Sequence, residues 1–384
     1  MKIEKLSLPD TAIDFLKSQG YEKLYPPQAD CIKSGLLDGK SILVSAPTAS
    51  GKTLIAMLAM LSYLSKNKGK VIYLSPLRAL AAEKFTEFKK LEKISIGNKI
   101  KTSISTGDFE HIEKNLENSN VLILTNEKMD SIIRHGAEWI EDIGLVISDE
   151  VHLIGDESRG PTLEMILTHL KLLDTKPQII GLSATITNSN EIADWLDCKL
   201  IKNDWRPVPL SEGVCDGGKV TMSDGETFEV KPSLRGIPID LGVQCVQQGG
   251  QSLVFAETRV RSKSLATKAS DVISQLLQKK ELTALEKTSK QILAENEHTE
   301  IVKTLAILVK KGVAFHHAGL NQKCRETVEK EFRKGTIKLL SSTPTLAAGV
   351  NLPARRVVIS NINRYNAKVG ANRPISILEY KQLC

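Results

Sequence analysis

The sequence predicts an α/β protein of two tandem domains, each with a mainly parallel β-sheet flanked by helices. Short apolar runs alternate with longer amphipathic segments along both halves of the 384-residue chain. This pattern is typical of strands that alternate with helices. Pro207 and Pro209 interrupt the alternation. Proline disfavours helical backbone angles in the residue before it, so two prolines so close together end regular structure. We therefore predict a first domain over residues 1–200 and a second over residues 201–384.

Nine apolar runs predict buried parallel strands, and polar residues follow most of them. In the first half these runs are Ile42–Ser45, Val71–Leu74, Val121–Leu124, Leu145–Ser148 and Ile179–Leu182. In the second half they are Ser252–Ala256, Gly312–Phe315, Ile337–Ser341 and Val357–Asn361. Two Gly-containing turns predict a small hairpin over 219–230. The Lys- and Glu-rich segment 262–311 predicts a helical region with a solvated face.

Composition narrows the classes of protein to consider. Lys and Arg number 52 and Asp and Glu 45, a net charge of +7 that fits a polyanionic partner. The six cysteines form no Cys-x-x-Cys pair, so we predict neither structural zinc nor a disulfide framework. Signal-peptide and membrane-spanning patterns are missing from the sequence. We therefore expect a cytoplasmic protein with no membrane partner, associated with the nucleoid in a prokaryote.

The segment Ala46–Thr53 follows the first predicted strand and precedes a helical run, Leu54–Leu64. It is a variant of the phosphate-binding loop pattern, with Ala46 in place of the first glycine. Lys52 can reach the β- and γ-phosphates, and the Thr53 hydroxyl can hold Mg²⁺. The backbone N–H groups predicted to bind phosphate are those of Thr48, Ala49, Ser50 and Gly51.

A second motif, Asp149-Glu150-Val151-His152, follows the fourth predicted strand. Asp149 at the carboxyl end of that strand would hold the same Mg²⁺, and Glu150 would orient and deprotonate a water molecule. Since ligands bind outside the carboxyl ends of parallel strands, both motifs are predicted to meet at one edge of the sheet. The sequence therefore predicts ATP and Mg²⁺ as the ligands.

These motifs, together with Gln28 and the segment Ser183-Ala184-Thr185, resemble those of superfamily 2 helicases. The resemblance implies two RecA-like domains with ATP in the cleft between them. It implies that Gln28 contacts the adenine and that His152 belongs to the catalytic set. Ser183 and Thr185 would couple hydrolysis to domain movement.

Several further segments resemble the nucleic-acid contacts of this family, which grip phosphates without reading bases. In the first domain the implied contacts are Pro76, Arg78, Thr106, Gly107, Thr125 and Lys128. In the second domain Arg259 and Thr345 are implied to hold nucleic acid, and Gly349 and Asn351 to approach the nucleotide. A metal site at His316-His317 is not predicted, since no carboxylate or cysteine lies at ligand spacing.

Finer matches are to the superkiller-type (Ski-like) branch, in particular the archaeal Hjm-type DNA-repair helicases. They include residues 149–164 and the segment Trp205–Leu210. The resemblance implies 3′→5′ movement on single-stranded or forked DNA, in repair or replication restart. It also implies a strand-separating hairpin at residues 364–373, which begins with Arg364 and Tyr365. We expect a monomer.

The sixth motif of the family reads Gln-x-x-Gly-Arg-x-Gly-Arg, whereas this chain has Gln382-Leu383-Cys384. The expectation is a truncated motor fragment without the winged-helix and ratchet domains, which binds ATP but hydrolyses it poorly. Two alternatives stay open at this point. One is an RNA helicase of the same branch, and the other is a nucleotide-dependent nucleic-acid clamp that does not unwind.

Overall fold

The computed structural model describes residues 1–96, 98–107, 116–344, 352–366 and 370–383. The chain divides into two compact units, Met1–Pro209 and Leu210–Cys384. The boundary that the sequence predicts, after residue 200, falls inside a strand of the first unit. The division of the chain into domains at residue 200 stays a prediction.

A seven-stranded parallel sheet forms the centre of the first unit. Within its described residues the first unit has nine strands, which are β1 (Ile42–Ser45), β2 (Lys70–Ser75), β3 (Ser95–Ile96), β4 (Asn98–Lys99), β5 (Thr102–Ser105), β6 (Val121–Thr125), β7 (Ile143–Ser148), β8 (Gln178–Ser183) and β9 (Lys199–Lys202). β3 and β4 form a separate antiparallel pair. The other seven are parallel in the order β5-β6-β2-β7-β8-β1-β9.

Helices cover both faces of this sheet. They are α1 (Asp10–Ser18), α2 (Pro26–Lys33), α3 (Lys52–Lys66), α4 (Arg78–Phe88), α5 (Asn126–Arg134), α6 (Gly160–Lys171) and α7 (Ser189–Trp195). Short 3₁₀ segments occupy Ile3–Lys5, Leu36–Asp38, Lys89–Lys93, Glu138–Asp142 and Val151–Gly155. Successive side chains of a strand point to opposite faces, so Ile42 and Val44 enter one hydrophobic core and Leu43 enters the other. Burial on both faces explains why the strands read as continuous apolar runs.

The second unit has its own parallel sheet and its own core. The strands are β10 (Gly213–Asp216), β11 (Lys219–Met222), β12 (Thr227–Glu229), β13 (Ser252–Phe255), β14 (Val313–His316), β15 (Leu339–Ser342), β16 (Arg356–Ile359), β17 (Asn363–Asn366) and β18 (Ala371–Pro374). The helices are α8 (Ile237–Gln247), α9 (Arg259–Gln275), α10 (Lys279–Ala294), α11 (Glu300–Lys310), α12 (Gln322–Arg333) and α13 (Ile377–Leu383). Four strands are parallel in the order β14-β15-β13-β16. The predicted α/β fold class, two units that each carry a mainly parallel sheet, is therefore confirmed.

In the second unit, one part differs from its sequence-based description and another gains detail. The predicted hairpin over 219–230 is a three-stranded antiparallel sheet, because β10 pairs with β11. The predicted helical region 262–311 consists of three helices, α9 to α11. Gln278 and Glu281 form a capping box at the start of α10, and the Thr299 hydroxyl accepts from the Val302 N–H at 3.5 Å at the start of α11. Those caps mark the new helix starts.

None of the helices in the described ranges has both the length and the apolar composition that a bilayer crossing requires.

Candidate functional site at the carboxyl edge of the first sheet

Three strand ends carry the predicted nucleotide motifs. β1 leads into the loop 46–51, β7 into Asp149, and β8 into Ala184-Thr185. These strands are neighbours in the order β7-β8-β1, so their carboxyl ends lie side by side. The parallel sheet thereby brings the loop 46–51 close to two motifs that follow it much later in the sequence, at Asp149 and at Ala184.

The loop at the end of β1, which is predicted to bind phosphate, contains two residues with positive φ angles. Ala49 and Gly51 have φ values of 63° and 84°, in the left-handed region that glycine tolerates best. An added Cβ at Gly51 would overlap the amide nitrogen of Gln28. Gln28 itself donates from Nε2 to the Gly51 carbonyl at 3.2 Å and accepts from the Tyr25 N–H at 2.7 Å. The predicted adenine contact therefore lies directly against the phosphate-binding loop.

Lys52 is the first residue of α3, and its side chain folds back onto the loop. Its ammonium donates to the carbonyls of Ala46 at 2.8 Å and Pro47 at 3.1 Å. Burial lowers the pKa of Lys52, while the nearby charges of Glu150 and Asp149 raise it. These two carboxylates act on Lys52 through space, which places the two predicted motifs within electrostatic range of each other.

Thr53, the predicted Mg²⁺ ligand, is the second residue of α3. Its hydroxyl oxygen accepts a hydrogen bond from the Lys84 ammonium at 2.8 Å. Lys84 lies in α4, the helix that follows β2. The sequence did not indicate this contact, because a lysine in an Ala- and Glu-rich helix is usually a solvated residue.

Asp149 and Glu150 are held by the end of β7 and a tight turn. The Tyr73 hydroxyl of β2 donates to Asp149 Oδ2 at 2.6 Å, and the Glu150 N–H donates to Asp149 Oδ1 at 3.0 Å. Glu150 has φ 50°, a left-handed conformation that is uncommon for residues with a Cβ. Asp149 is 8% exposed. Two donors thus fix its carboxylate in a mostly buried position.

Burial and charge shift the pKa values of Glu150 and His152 in opposite directions. Burial, followed by the charge of Asp149, raises the pKa of Glu150 to about 7. Burial, followed by the charge of Lys52, lowers the pKa of His152 to about 4. Glu150 Oε2 lies 3.3 Å from His152 Nδ1. His152 is therefore neutral near pH 7, and the contact joins a partly protonated carboxyl group to a neutral imidazole.

The same histidine nitrogen contacts the end of β8. The Ala184 N–H donates to His152 Nδ1 at 3.2 Å, and Ser183 Oγ lies 3.4 Å from that nitrogen. Since Nδ1 accepts from the Ala184 backbone, the ring proton belongs on Nε2. Ser183 also donates to the Ala184 carbonyl at 2.8 Å, and Thr185 follows, half-buried. His152 therefore joins the second motif to the segment predicted to couple hydrolysis to movement.

The predicted nucleic-acid contacts of the first unit follow β2, β5 and β6, which are the other strands at this edge. Pro76 is buried, Arg78 is exposed at the first position of α4, and Thr106 and Gly107 follow β5, half-buried. Because the order is β5-β6-β2-β7-β8-β1, these contacts occupy one half of the edge and the nucleotide motifs the other half.

Thr125 is the N-cap of α5 and Lys128 is the third residue of that helix, on the half of the edge predicted to bind nucleic acid. The Thr125 hydroxyl caps the helix by accepting from the Lys128 N–H at 3.4 Å. Lys128 is only 8% exposed. Because the Lys128 side chain is mostly buried, the group available to a ligand at this edge is the capped start of α5 rather than the lysine ammonium.

In the second unit, Arg259 is exposed at the first position of α9. Arg364 belongs to β17, which pairs antiparallel with β18, and its guanidinium forms an ion pair with Glu379. Tyr365 is opposite Asn372 in that register. The implied contacts Thr345, Gly349 and Asn351 lie outside the described residues.

Two residues that contact the predicted nucleotide site were missed by sequence reasoning. Tyr73 is a polar residue within a buried strand, two positions before its end, and this placement was the available signal. Nothing in the sequence around Lys84 indicated that its side chain contacts Thr53. Among the described residues, this site included, no group of three or more His, Cys, Asp or Glu side chains could hold a metal ion.

Comparison with known proteins gives two matching family models. Residues 25–192 match the DEAD/DEAH box helicase model, and residues 273–373 match the helicase conserved C-terminal domain model. Relatives named ATP-dependent DNA helicase Hel308 from Methanocella arvoryzae and Pyrococcus horikoshii are each 44% identical, over 384 and 383 residues. A relative of the same name from Caldivirga maquilingensis is 42% identical over 387 residues.

These alignments cover 100% of this chain and 51%, 51% and 50% of the three relatives. The chain thus spans about half the length of the curated relatives that it matches. Both family models match in the order that the motifs predicted, one in each unit. The chain belongs to the superfamily 2 helicases with a DEAD/DEAH box domain and a helicase C-terminal domain, in the Ski-like branch.

Proposed function

We propose that this chain is the ATP-driven motor of a DNA helicase that moves 3′→5′ along single-stranded or forked DNA in repair or replication restart. The observation that carries the proposal is the placement of Lys52, Asp149 and Ser183 at three adjacent strand ends. The names of the relatives support DNA rather than RNA as the substrate.

The residues at this edge fit the polyphosphate of ATP. The Ser50 hydroxyl is buried and has no hydrogen-bond partner within the described chain. It adjoins the start of α3, where unpaired backbone N–H groups favour an anion. Lys52 supplies an ammonium group that now bonds to its own loop. A phosphate oxygen is a stronger partner for this cation than a carbonyl oxygen is.

The donor set also fits Mg²⁺, which prefers oxygen ligands. Thr53 would offer a hydroxyl oxygen and Asp149 a carboxylate oxygen, the latter oriented by Tyr73. When bound, the ion supplies neutralisation of charge on the β- and γ-phosphates. Tyr73 keeps one Asp149 oxygen bonded, so the carboxylate approaches any partner in a fixed orientation.

Glu150 is proposed to orient a water molecule and to accept its proton. A general base works best when its pKa lies near the working pH, and burial raises the pKa of Glu150 to about 7. His152 stays neutral beside it, and its Nδ1, which carries no proton, accepts from Glu150 only while that carboxyl group is protonated. His152 also accepts from the Ala184 N–H. A change in the protonation or position of Glu150 would therefore be transmitted through the His152 ring to the segment Ser183–Thr185.

Nucleic acid is proposed to follow the other half of the edge. Helix starts at Arg78 and Asn126 direct backbone N–H groups toward this region, and such groups bind phosphates without reading bases. The antiparallel pair β17–β18 has the arrangement expected of a strand-separating hairpin, and it carries Arg364 and Arg373 opposite each other. Since phosphates supply most of the contacts, we expect affinity that falls steeply with salt.

The test combines nucleotide binding with hydrolysis. ATP binding to the chain is measured first, and steady-state hydrolysis is then measured alone, with single-stranded DNA and with RNA of the same sequence. We expect ATP binding that Lys52→Ala abolishes and weak hydrolysis that DNA raises more than RNA does. Lys68→Ala removes an exposed lysine just after α3 and serves as the control for lost charge.

Each contrary result has a distinct meaning. Failure to bind ATP, or equal binding by Lys52→Ala, would overturn the nucleotide site. Equal or greater stimulation by RNA would favour the RNA helicase. Nucleotide-dependent DNA binding without any turnover would favour the clamp.

A further inference from the structure

Lys84 is a second lysine at the nucleotide site, besides the one in the phosphate-binding loop. It is 8% exposed, although lysine is rarely buried unless it is paired. Its ammonium donates to Thr53 Oγ1 at 2.8 Å, which is within the range of a good hydrogen bond. The cation thus bonds to the hydroxyl that is proposed to hold Mg²⁺.

Two carboxylates lie close to the same ammonium. Glu83 Oε1 is 3.6 Å away and Glu87 Oε2 is 3.7 Å away, both on α4. These distances are too long for a hydrogen bond, yet a rotation of the lysine side chain would close either gap. Lys84 therefore has two alternative partners within reach, besides the threonine hydroxyl.

The helix backbone is less free to move than the lysine side chain. Phe88, the last residue of α4, packs edge-on against Tyr73, with ring centroids 5.1 Å apart. Tyr73 in turn bonds to Asp149. Because α4 is held at its end by this contact, a change of partner at Lys84 has to occur by a change of side-chain rotamer.

An ammonium group and a divalent cation do not readily bind the same oxygen atom at the same time. A hydroxyl oxygen has two lone pairs, but two positive charges a few ångströms apart repel strongly in a buried site. We propose that Lys84 and Mg²⁺ are alternative partners of the Thr53 hydroxyl, and that Lys84 moves to Glu83 and Glu87 when Mg²⁺–nucleotide binds. Lys84 would then set the Mg²⁺ concentration that nucleotide binding requires.

This inference rests on the proposed function, because it assumes that Mg²⁺ and nucleotide bind at Thr53. The test is a Mg²⁺ titration of the binding of fluorescent ADP to the full chain, compared with binding in EDTA. Lys84→Met removes the charge at similar length. We expect its half-saturating Mg²⁺ concentration to fall about fivefold or more, at the low end of typical coupling between sites. Binding in EDTA should not improve.

Three variants complete the design. Lys84→Arg keeps the cation and should stay close to the unmodified chain, whereas Lys93→Met removes an exposed lysine beyond α4 and should change nothing. If circular dichroism shows that Lys84→Met is unfolded, Lys84→Gln gives the same comparison. It keeps a donor for Thr53 without the charge.

Two results would overturn this inference and leave the proposed function intact. One is an unchanged or raised Mg²⁺ midpoint in Lys84→Met. The other is an equal loss of ADP affinity with and without Mg²⁺, which would make Lys84 a phosphate ligand. Absence of ADP binding by the unmodified chain at every Mg²⁺ concentration would instead overturn the proposed function, and this inference with it.

Discussion

Glu150 bears its charge at an energetic cost to the folded state, because burial and the neighbouring Asp149 raise its pKa to about 7. In the unfolded chain the carboxyl group has its ordinary pKa of 4.5. Between these values the folded chain binds more protons than the unfolded chain does, so this group contributes a loss of stability as pH rises from about 4.5 to 7. His152 has the opposite effect, since its lowered pKa makes the fold less stable as pH falls from 6.5 to about 4.

We expect Glu150→Gln to stabilise the chain at pH 8. The amide removes a buried charge that the fold disfavours, so the free energy of unfolding should rise by about 1–3 kcal/mol, on the basis of 1.36 kcal/mol per pKa unit. At pH 4 the difference between the two chains should shrink toward zero, because the carboxyl group is then protonated in both states. Urea unfolding at the two pH values measures both numbers.

Glu164→Gln is the matched control, because Glu164 is an exposed carboxylate on α6. It should leave the stability nearly unchanged at both pH values. A Glu150→Gln variant that is less stable than the unmodified chain at pH 8 would contradict the assigned cause of the raised pKa.

At the scale of residues, the sequence indicated the groups that belong to recognisable motifs and missed those that act on them. Lys52, Thr53 and Asp149 were predicted from spacing and strand-end position. Tyr73 and Lys84 were not, because their partners are set by the packing of β2 and α4 against neighbouring elements. Hydrogen bonds between elements far apart in sequence have no local signature.

Among the elements, α5 combines a structural role with a predicted functional one. Its N-cap, Thr125, satisfies a backbone donor at the helix start and is also a predicted nucleic-acid contact. Caps of this kind typically contribute about 1 kcal/mol. The long 3.4 Å contact suggests a value at the lower end of the range.

Thr125→Ala should lower the free energy of unfolding by about 0.5–1 kcal/mol and also weaken binding to single-stranded DNA. Thr125→Ser keeps the hydroxyl and should retain both properties. Denaturant unfolding and a DNA titration at fixed salt give the two values. If Thr125→Ala loses stability but binds DNA with unchanged affinity, Thr125 is a helix cap and does not contact nucleic acid.

The strands were predicted well where both faces of the sheet are covered, because such strands are continuous apolar runs. β9 was missed, since only Ile201 of its four residues is buried. β10 was missed for the same reason, as it has no fully buried residue. The region between residues 262 and 311 was described as helical, but the helix starts at 279 and 300 depend on caps that the apolar pattern does not contain.

For the whole molecule, each unit has hydrophobic cores of its own. The buried clusters on both faces of the seven-stranded sheet use residues 3–201, and the cluster of the second unit uses residues 239–383. The three tryptophans, Trp139, Trp195 and Trp205, all belong to the first unit. Tryptophan fluorescence therefore reports on one unit, whereas circular dichroism reports on both.

Unfolding in guanidinium should give different curves for these two signals. Non-coincident transitions are the mark of more than two states. ATP with Mg²⁺ should shift the fluorescence transition, by about 2.7 kcal/mol at 100 times the dissociation constant, because the residues proposed to bind phosphate lie in the first unit. Coincident curves, shifted equally by nucleotide, would show that the chain unfolds as one cooperative body.

The position of β1 has a consequence for synthesis on the ribosome. This strand is flanked by β8 and β9, and the Ile179 N–H reaches the Ser41 hydroxyl across 138 positions. The predicted phosphate-binding loop is thus translated early, but its strand has no lateral neighbour until residue 183 has emerged and gains the second only with residue 202. We therefore expect nucleotide to stabilise the nascent polypeptide only after both of these strands have been synthesised.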